Sequence, residues 1–128
     1  MILYRSGEDY LKAILILKEK NGHVRSLDVA NYLNVSKPSV SRAMHLLKEG
    51  QFLSMDENKQ LLLTDLGREV AEMVYERNRI LTQELIALGV DPQTAEQDAC
   101  KIEHDLSNTT FEKLKKHWEK HLSNSVAR

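Results

Sequence analysis

Residues 34–50 read Asn34-Val35-Ser36-Lys37-Pro38-Ser39-Val40-Ser41-Arg42-Ala43-Met44-His45-Leu46-Leu47-Lys48-Glu49-Gly50. Ser36 suits a helix N-cap, because its hydroxyl can accept from an N–H that the first turn leaves unpaired. Pro38 fits that first turn, where a missing N–H costs nothing. Val40, Met44 and Leu47 then fall on one apolar stripe. Gly50 closes the helix. Upstream, Leu27–Leu33 reads as a short helix with Ala30 and Leu33 inward, and Asn34-Val35 as a tight turn. Downstream, Phe52–Met55 and Gln60–Leu63 read as two strands joined by the polar tip Asp56-Glu57-Asn58-Lys59. Two short helices, a turn and a β-hairpin make the pattern of a winged helix-turn-helix.

Working outward, Leu11, Ile14 and Leu15 give Gly7–Lys20 a helical spacing, and Asn21-Gly22 ends it. Thr64 caps a long helix reaching about Leu88, and Gly89-Val90-Asp91-Pro92 breaks it. Pro92 opens another helix through about Leu106. Ser107-Asn108-Thr109-Thr110 breaks again, and Phe111–Leu122 forms the last helix. The fold class predicted is mainly α. A winged helix-turn-helix domain with a β-hairpin wing occupies 1–63, and a helical lobe occupies 64–128.

The chain has 128 residues, 41% of them apolar and 29% charged, which is ordinary for a soluble fold. Only 5 Gly and 2 Pro are present, too few for an all-β protein of many tight turns. Net charge is −1, so bulk charge alone would not hold a polyanion. Residues 1–63 carry 9 basic and 7 acidic side chains, net +2, whereas 64–128 carry 9 and 12, net −3. A single cysteine, Cys100, excludes an internal disulfide and a four-cysteine zinc site. No apolar run has a membrane-spanning length, and Arg5, Glu8 and Asp9 come too early for a secretory signal. A cytoplasmic chain with a reduced thiol is expected.

The start of the 36–49 helix has chemistry suited to double-stranded DNA. Ser36, Ser39 and Ser41 offer short hydroxyls to phosphates or bases. Pro38 offers an apolar ring to a thymine methyl. Arg42 can reach a guanine edge or a phosphate. Lys37 adds charge where a helix N-terminus already favours phosphate. Arg25 and, on the wing tip, Lys59 are candidate backbone clamps, although Asp56 and Glu57 lie beside Lys59. Ser36 and Ser39 also have a plainer reading, as caps.

Residues 98–105 read Asp98-Ala99-Cys100-Lys101-Ile102-Glu103-His104-Asp105. Cys100, Glu103 and His104 stand at i, i+3 and i+4, a spacing that places all three on one side of a helix. Thiolate, carboxylate and imidazole form a ligand set for a transition metal, whereas magnesium and calcium prefer oxygen alone. A buried cysteine beside an exposed Glu-His pair is the ordinary alternative.

Taken together, these stretches resemble the diphtheria toxin repressor family of metal-dependent transcription regulators, including its manganese-transport-regulator branch. The resemblance rests on Glu8-Asp9-Tyr10-Leu11, Val35-Ser36-Lys37-Pro38-Ser39-Val40-Ser41, Leu63-Thr64-Asp65-Leu66-Gly67 and Asp98-Ala99-Cys100-Lys101-Ile102-Glu103-His104. It implies a homodimer that grips a palindromic operator near metal-uptake genes, with divalent metal as co-repressor. It also implies the two-domain form, without the SH3-like domain of some relatives.

The same resemblance makes Asp9 a fourth metal ligand beside Cys100, Glu103 and His104. Asp9 is the choice of manganese-type members and Cys100 that of iron-type members, so the set is a hybrid. Soft sulfur and hard carboxylate leave Fe(II) and Mn(II) both open, with Co, Ni or Zn able to bind in vitro. A Glu of the manganese type falls at Lys12, and the auxiliary ligands of the family fall at Asn78, Thr82 and Glu96. One metal per subunit is therefore expected. Val70, Met73, Val74, Ile80, Leu81, Leu85 and Leu88 supply core and dimer surface.

Besides a purely structural dimer module whose winged helix contacts protein, two other readings compete. One keeps the winged helix but places it under thiol or small-ligand control through Cys100. The other is a small metallohydrolase, which the absence of a recognisable general-base motif or phosphate loop disfavours. The chain is expected not to be an enzyme.

Overall fold

Helix α1 (Arg5–Asn21) turns Tyr10, Leu11, Ala13, Ile14, Leu15 and Leu17 inward, and Leu11 and Ile14 are fully buried. Each such side chain contributes about 1.5–3 kcal/mol relative to exposure. The computed structural model describes residues 5–127, with side chains through Ser123. Gly22 follows α1 at a φ of 82°, which suits a residue without Cβ. Helix α2 (Ser26–Leu33) ends at Asn34, which takes the left-handed conformation that asparagine tolerates. Helix α3 (Lys37–Glu49) follows after two intervening residues, Val35 and Ser36. Strands β1 (Leu53–Met55) and β2 (Leu61–Leu63) pair antiparallel, with Leu53 opposite Leu63 and Met55 opposite Leu61.

Each strand is one residue shorter than the sequence predicts. Phe52 keeps its side chain in the core, but its backbone closes the turn after α3: its N–H bonds the Leu47 carbonyl. Gln60 lies in the wing turn, its N–H held by Asp56. One continuous core unites α1, α2, α3, the hairpin and the start of the next helix. Its members include Val24, Val29, Val40, Met44, Leu47, Leu53, Leu61 and Ala71.

Helix α4 (Asp65–Ala87) starts where Thr64 predicts. The Thr64 hydroxyl accepts from the Gly67 N–H at 3.1 Å and donates to the Gln51 carbonyl at 2.7 Å. Gly67 is buried, and a Cβ added there would fall on the Phe52 carbonyl. The helix can therefore approach the hairpin only through a glycine. The chain divides into two compact units, Met1–Val74 and Tyr75–Arg128, so the division falls within α4. The first turns of α4 belong to the N-terminal core through Val70 and Ala71.

In the second unit, α5 spans Pro92–Ile102 and α6 spans Asn108–Ala127. Asp91 caps α5, accepting from the Thr94 N–H at 3.0 Å. Two expectations change here. Helix α5 stops at Ile102, not Leu106. Helix α6 starts at Asn108, because Ser107 caps it: its Oγ accepts from the Thr110 N–H at 3.2 Å. The residues read as a break are a cap and a first turn, and α6 runs past Leu122 to Ala127. Val74, Ile80 and Leu81 are buried, whereas Leu88 is 78% exposed. Among the described residues, no helix is long and apolar enough to cross a membrane.

Urea unfolding checks this account. Gly67→Ala is expected to destabilise by about 3 kcal/mol, since backbone must move. Thr64→Ala should cost about 1 kcal/mol, the usual loss of a cap.

Candidate functional site

The α3 cap orients the DNA-facing side chains. Ser36 Oγ accepts from the Ser39 N–H at 3.2 Å, and the Ser36 hydroxyl donates to Ser39 Oγ at 2.8 Å. Both hydroxyls therefore serve the cap. Lys37, Pro38, Ser39, Ser41 and Arg42 are exposed, while Val40, Met44 and Leu47 pack into the core. The helix thus presents one polar, basic face and buries the other.

The wing turn is built by Asp56. One of its carboxylate oxygens accepts from the N–H groups of Asn58 and Gln60, each at 2.9 Å. Lys59, at the exposed tip, has a φ of 62°. Arg25 lies where its Nε–H donates to the Asn58 carbonyl at 3.2 Å, and Leu61 N–H bonds the Val24 carbonyl at 2.8 Å. The guanidinium therefore braces the wing against the start of α2. Asp28 in turn accepts from the Arg25 N–H at 2.9 Å.

Asp9 sits half-buried on α1 in the N-terminal unit, one residue before buried Tyr10. In the C-terminal unit, Cys100 is on α5 and exposed, and its sulfur accepts from the Asn78 amide at 3.3 Å. Asn78 stands where the resemblance placed a lost auxiliary ligand, and its amide is directed at the thiol instead.

Glu103 and His104 lie just past the end of α5, the helix that carries Cys100. Glu103 is the C-cap of α5, and His104 lies in the turn beyond it. The Glu103 side chain is 0% exposed and that of His104 is 3% exposed, with Oε1 and Nε2 3.4 Å apart. Burial of a carboxylate is costly unless positive charge or donors face it. A buried carboxylate and imidazole converging this closely have the donor chemistry to fit a divalent transition metal.

Arg77 is the residue that sequence reasoning missed. It is 5% exposed, on α4. Its Nη1 donates to the carbonyls of Glu103 at 3.0 Å and Leu106 at 2.6 Å, and its Nη2 donates to Asn108 Oδ1 at 2.6 Å. Phe111 lies 5.2 Å from the guanidinium carbon, a cation–π distance. These bonds tie the end of α5 to the turn and to the first residue of α6.

Surface pairs complete the C-terminal unit. Lys115 bonds Glu76 at 2.7 Å, joining α6 to α4, and the Glu76 carboxylate holds the ammonium above its usual pKa. His117 is exposed and meets Glu84 at 3.2 Å. His121 stacks on Trp118. His23 and His45 are exposed.

A helix-turn-helix with a β-hairpin wing, followed by a helical unit bearing a buried carboxylate–imidazole pair, defines a winged-helix DNA-binding protein with an attached sensory unit. The family models agree. Residues 2–61 match the iron dependent repressor N-terminal DNA binding domain, and 64–125 match the iron dependent repressor metal binding and dimerisation domain. The chain belongs to the iron-dependent repressor family.

It is 32% identical over 109 residues to the HTH-type transcriptional regulator MntR of Geobacillus kaustophilus, covering 85% of this chain and 77% of that protein. It is 32% identical over 118 residues to an uncharacterised HTH-type transcriptional regulator, MJ0568, of Methanocaldococcus jannaschii, covering 91% of this chain and 94% of that one. The solved structure of the metal-dependent transcriptional regulator MtsR superposes with a TM-score of 0.82 at 31% identity. That match covers 88% of this chain, which spans only 53% of the MtsR chain.

The cap of the helix that carries Cys100 has a pH signature. The Thr94 N–H holds the Asp91 carboxyl below its ordinary value of 3.8. A lowered folded pKa means that the ionised group stabilises α5 above the ordinary value, and that this support is lost as pH falls through the lowered one. In acid titrations followed by circular dichroism, Asp91→Asn should flatten the acid limb of stability and leave the neutral region sloped as in the wild type.

Proposed function

We propose that this chain is a transcriptional repressor of metal-uptake genes whose DNA binding depends on a divalent metal. The observation that carries the reading is the buried Glu103–His104 pair, within a domain of the family's metal-binding type. Cys100 and Asp9 complete the proposed ligand set, for one Fe(II) or Mn(II) per subunit. The metal would supply a positive charge at which these donors converge. The mixed sulfur, oxygen and nitrogen set supports a transition metal over magnesium or calcium.

Glu103 and His104 fix the position of the donors, because both are buried and anchored at the end of α5. Asp9 belongs to the same helix as the N-terminal core, so engaging it would link the ligand set to the DNA-binding unit. Lys37, Pro38, Ser39, Ser41 and Arg42 are the proposed groove-facing residues. Ser36 orients them as the cap, and Arg25 and Lys59 act from the wing side. The protein works as a homodimer on a palindromic operator, in the cytoplasm, with no catalytic role. Exposure of Cys100 favours one second reading, control by the thiol without metal.

Fluorescence anisotropy on labelled DNA from upstream of its own gene separates the two. Binding should be about 5- to 150-fold tighter with Mn(II) or anaerobic Fe(II) than with chelator, the usual span of allosteric coupling. His104→Ala and Asp9→Ala should abolish that gain. Equal selective binding in chelator, unaffected by Asp9→Ala, would favour thiol control. Lys37→Ala should reduce the slope of log affinity against log salt by about 2 for the dimer, as expected when one phosphate contact is lost in each half-site.

A further inference from the structure

The ligand pair hangs on a turn, and a turn of five residues is ordinarily a pliable place to hold a metal. Here the turn is closed from beneath by one side chain. Arg77 bonds the carbonyl of Glu103 at its start, the carbonyl of Leu106 near its end, and the Asn108 side chain where α6 begins. The carbonyl of Glu103 belongs to the peptide that links Glu103 to His104, so fixing it fixes the backbone direction of both ligands.

The guanidinium is committed to this task. It is buried, Phe111 covers it, and Nε has no hydrogen-bond partner among the described residues. Among those residues no carboxylate pairs with it either. A buried cation held by backbone carbonyls, with one N–H unsatisfied, is expensive on stability grounds alone. Replacing it by an apolar group would leave the Glu103 and Leu106 carbonyls and the Asn108 amide oxygen without that donor, so some loss of stability is expected as well. What an apolar side chain does not do is fix the orientation of two carbonyls and an amide at once, which the planar fork of arginine does.

We infer that Arg77 is a positioning residue for the metal site: it preorganises the 103–107 turn so that Glu103 and His104 meet the cation without rearrangement. This inference rests on the metal-binding reading above. Outer residues that orient ligands typically govern affinity about 10- to 100-fold.

The test is Co(II) titration of the full-length protein with a competing chelator, together with amide hydrogen exchange of residues 104–107 without metal. Arg77→Met keeps the bulk and the helix propensity. It should lower Co(II) affinity about tenfold or more, broaden the Co(II) d–d absorption and speed exchange in the turn. Arg77→Lys should recover part of the affinity, since an ammonium can still reach a carbonyl.

A folded Arg77→Met protein with Co(II) affinity within about twofold of wild type overturns the inference, because that change lies well below the expected range. If Arg77→Met does not fold, Asn108→Ala carries the test by removing a single acceptor. A loss of affinity with faster exchange supports the inference, and wild-type values for both overturn it. Wild-type protein that binds no Co(II) overturns the metal reading itself, and the inference with it. Normal wild-type binding with unaltered variants removes Arg77 alone.

Discussion

A guanidinium that cannot reach water must find its acceptors inside the protein, and that requirement organises the C-terminal unit around Arg77. Its acceptors come from the end of α5, the connecting turn and the start of α6. One side chain on α4 therefore ties the end of α5, the turn and the start of α6 together. The buried carboxylate and imidazole sit at the point it fixes. Without that anchor, the spacing of Glu103 and His104 along the chain would say little about their geometry, because they lie outside regular helix.

The N-terminal unit is governed by a constraint of a different kind. Gly67 admits the Phe52 carbonyl at a distance that no side chain permits, and Thr64 ties the same corner with both its donor and its acceptor. The wing is set against α4 by that corner and against α2 by Arg25. Helix α3 is then free to bury Val40, Met44 and Leu47 and to leave its basic, hydroxyl-rich face in solvent. The shape needed to enter a DNA groove thus follows from apolar burial and two tight backbone approaches.

Much of this is legible in the sequence because its causes are local. Ser36 and Thr64 announce their helices by capping, and Asn34 and Gly22 mark turns by tolerating positive φ. The apolar stripe of α3 follows from its period alone. What was not legible depends on distant partners. The acceptors of Arg77 are 26 to 31 residues away, and two are main-chain carbonyls that carry no residue signature. The end of α5 was misread for the same reason. Helical spacing was extended through Glu103 and His104, where tertiary hydrogen bonds prevail over local pattern. Arg25 and Asn78 also hydrogen-bond across their units, to the wing and to the thiol, contacts that no local pattern announces.

In the proposed mechanism, metal and DNA bind to one coupled system. Linkage makes this testable without knowing the conformations involved: if metal strengthens DNA binding, DNA must strengthen metal binding by the same factor. The direct measurement is titration of Mn(II) into the protein alone and into the protein saturated with its operator duplex. One site per subunit is expected, tighter in the presence of DNA by the same factor by which metal tightens the DNA complex. Identical metal affinities with and without DNA would contradict it.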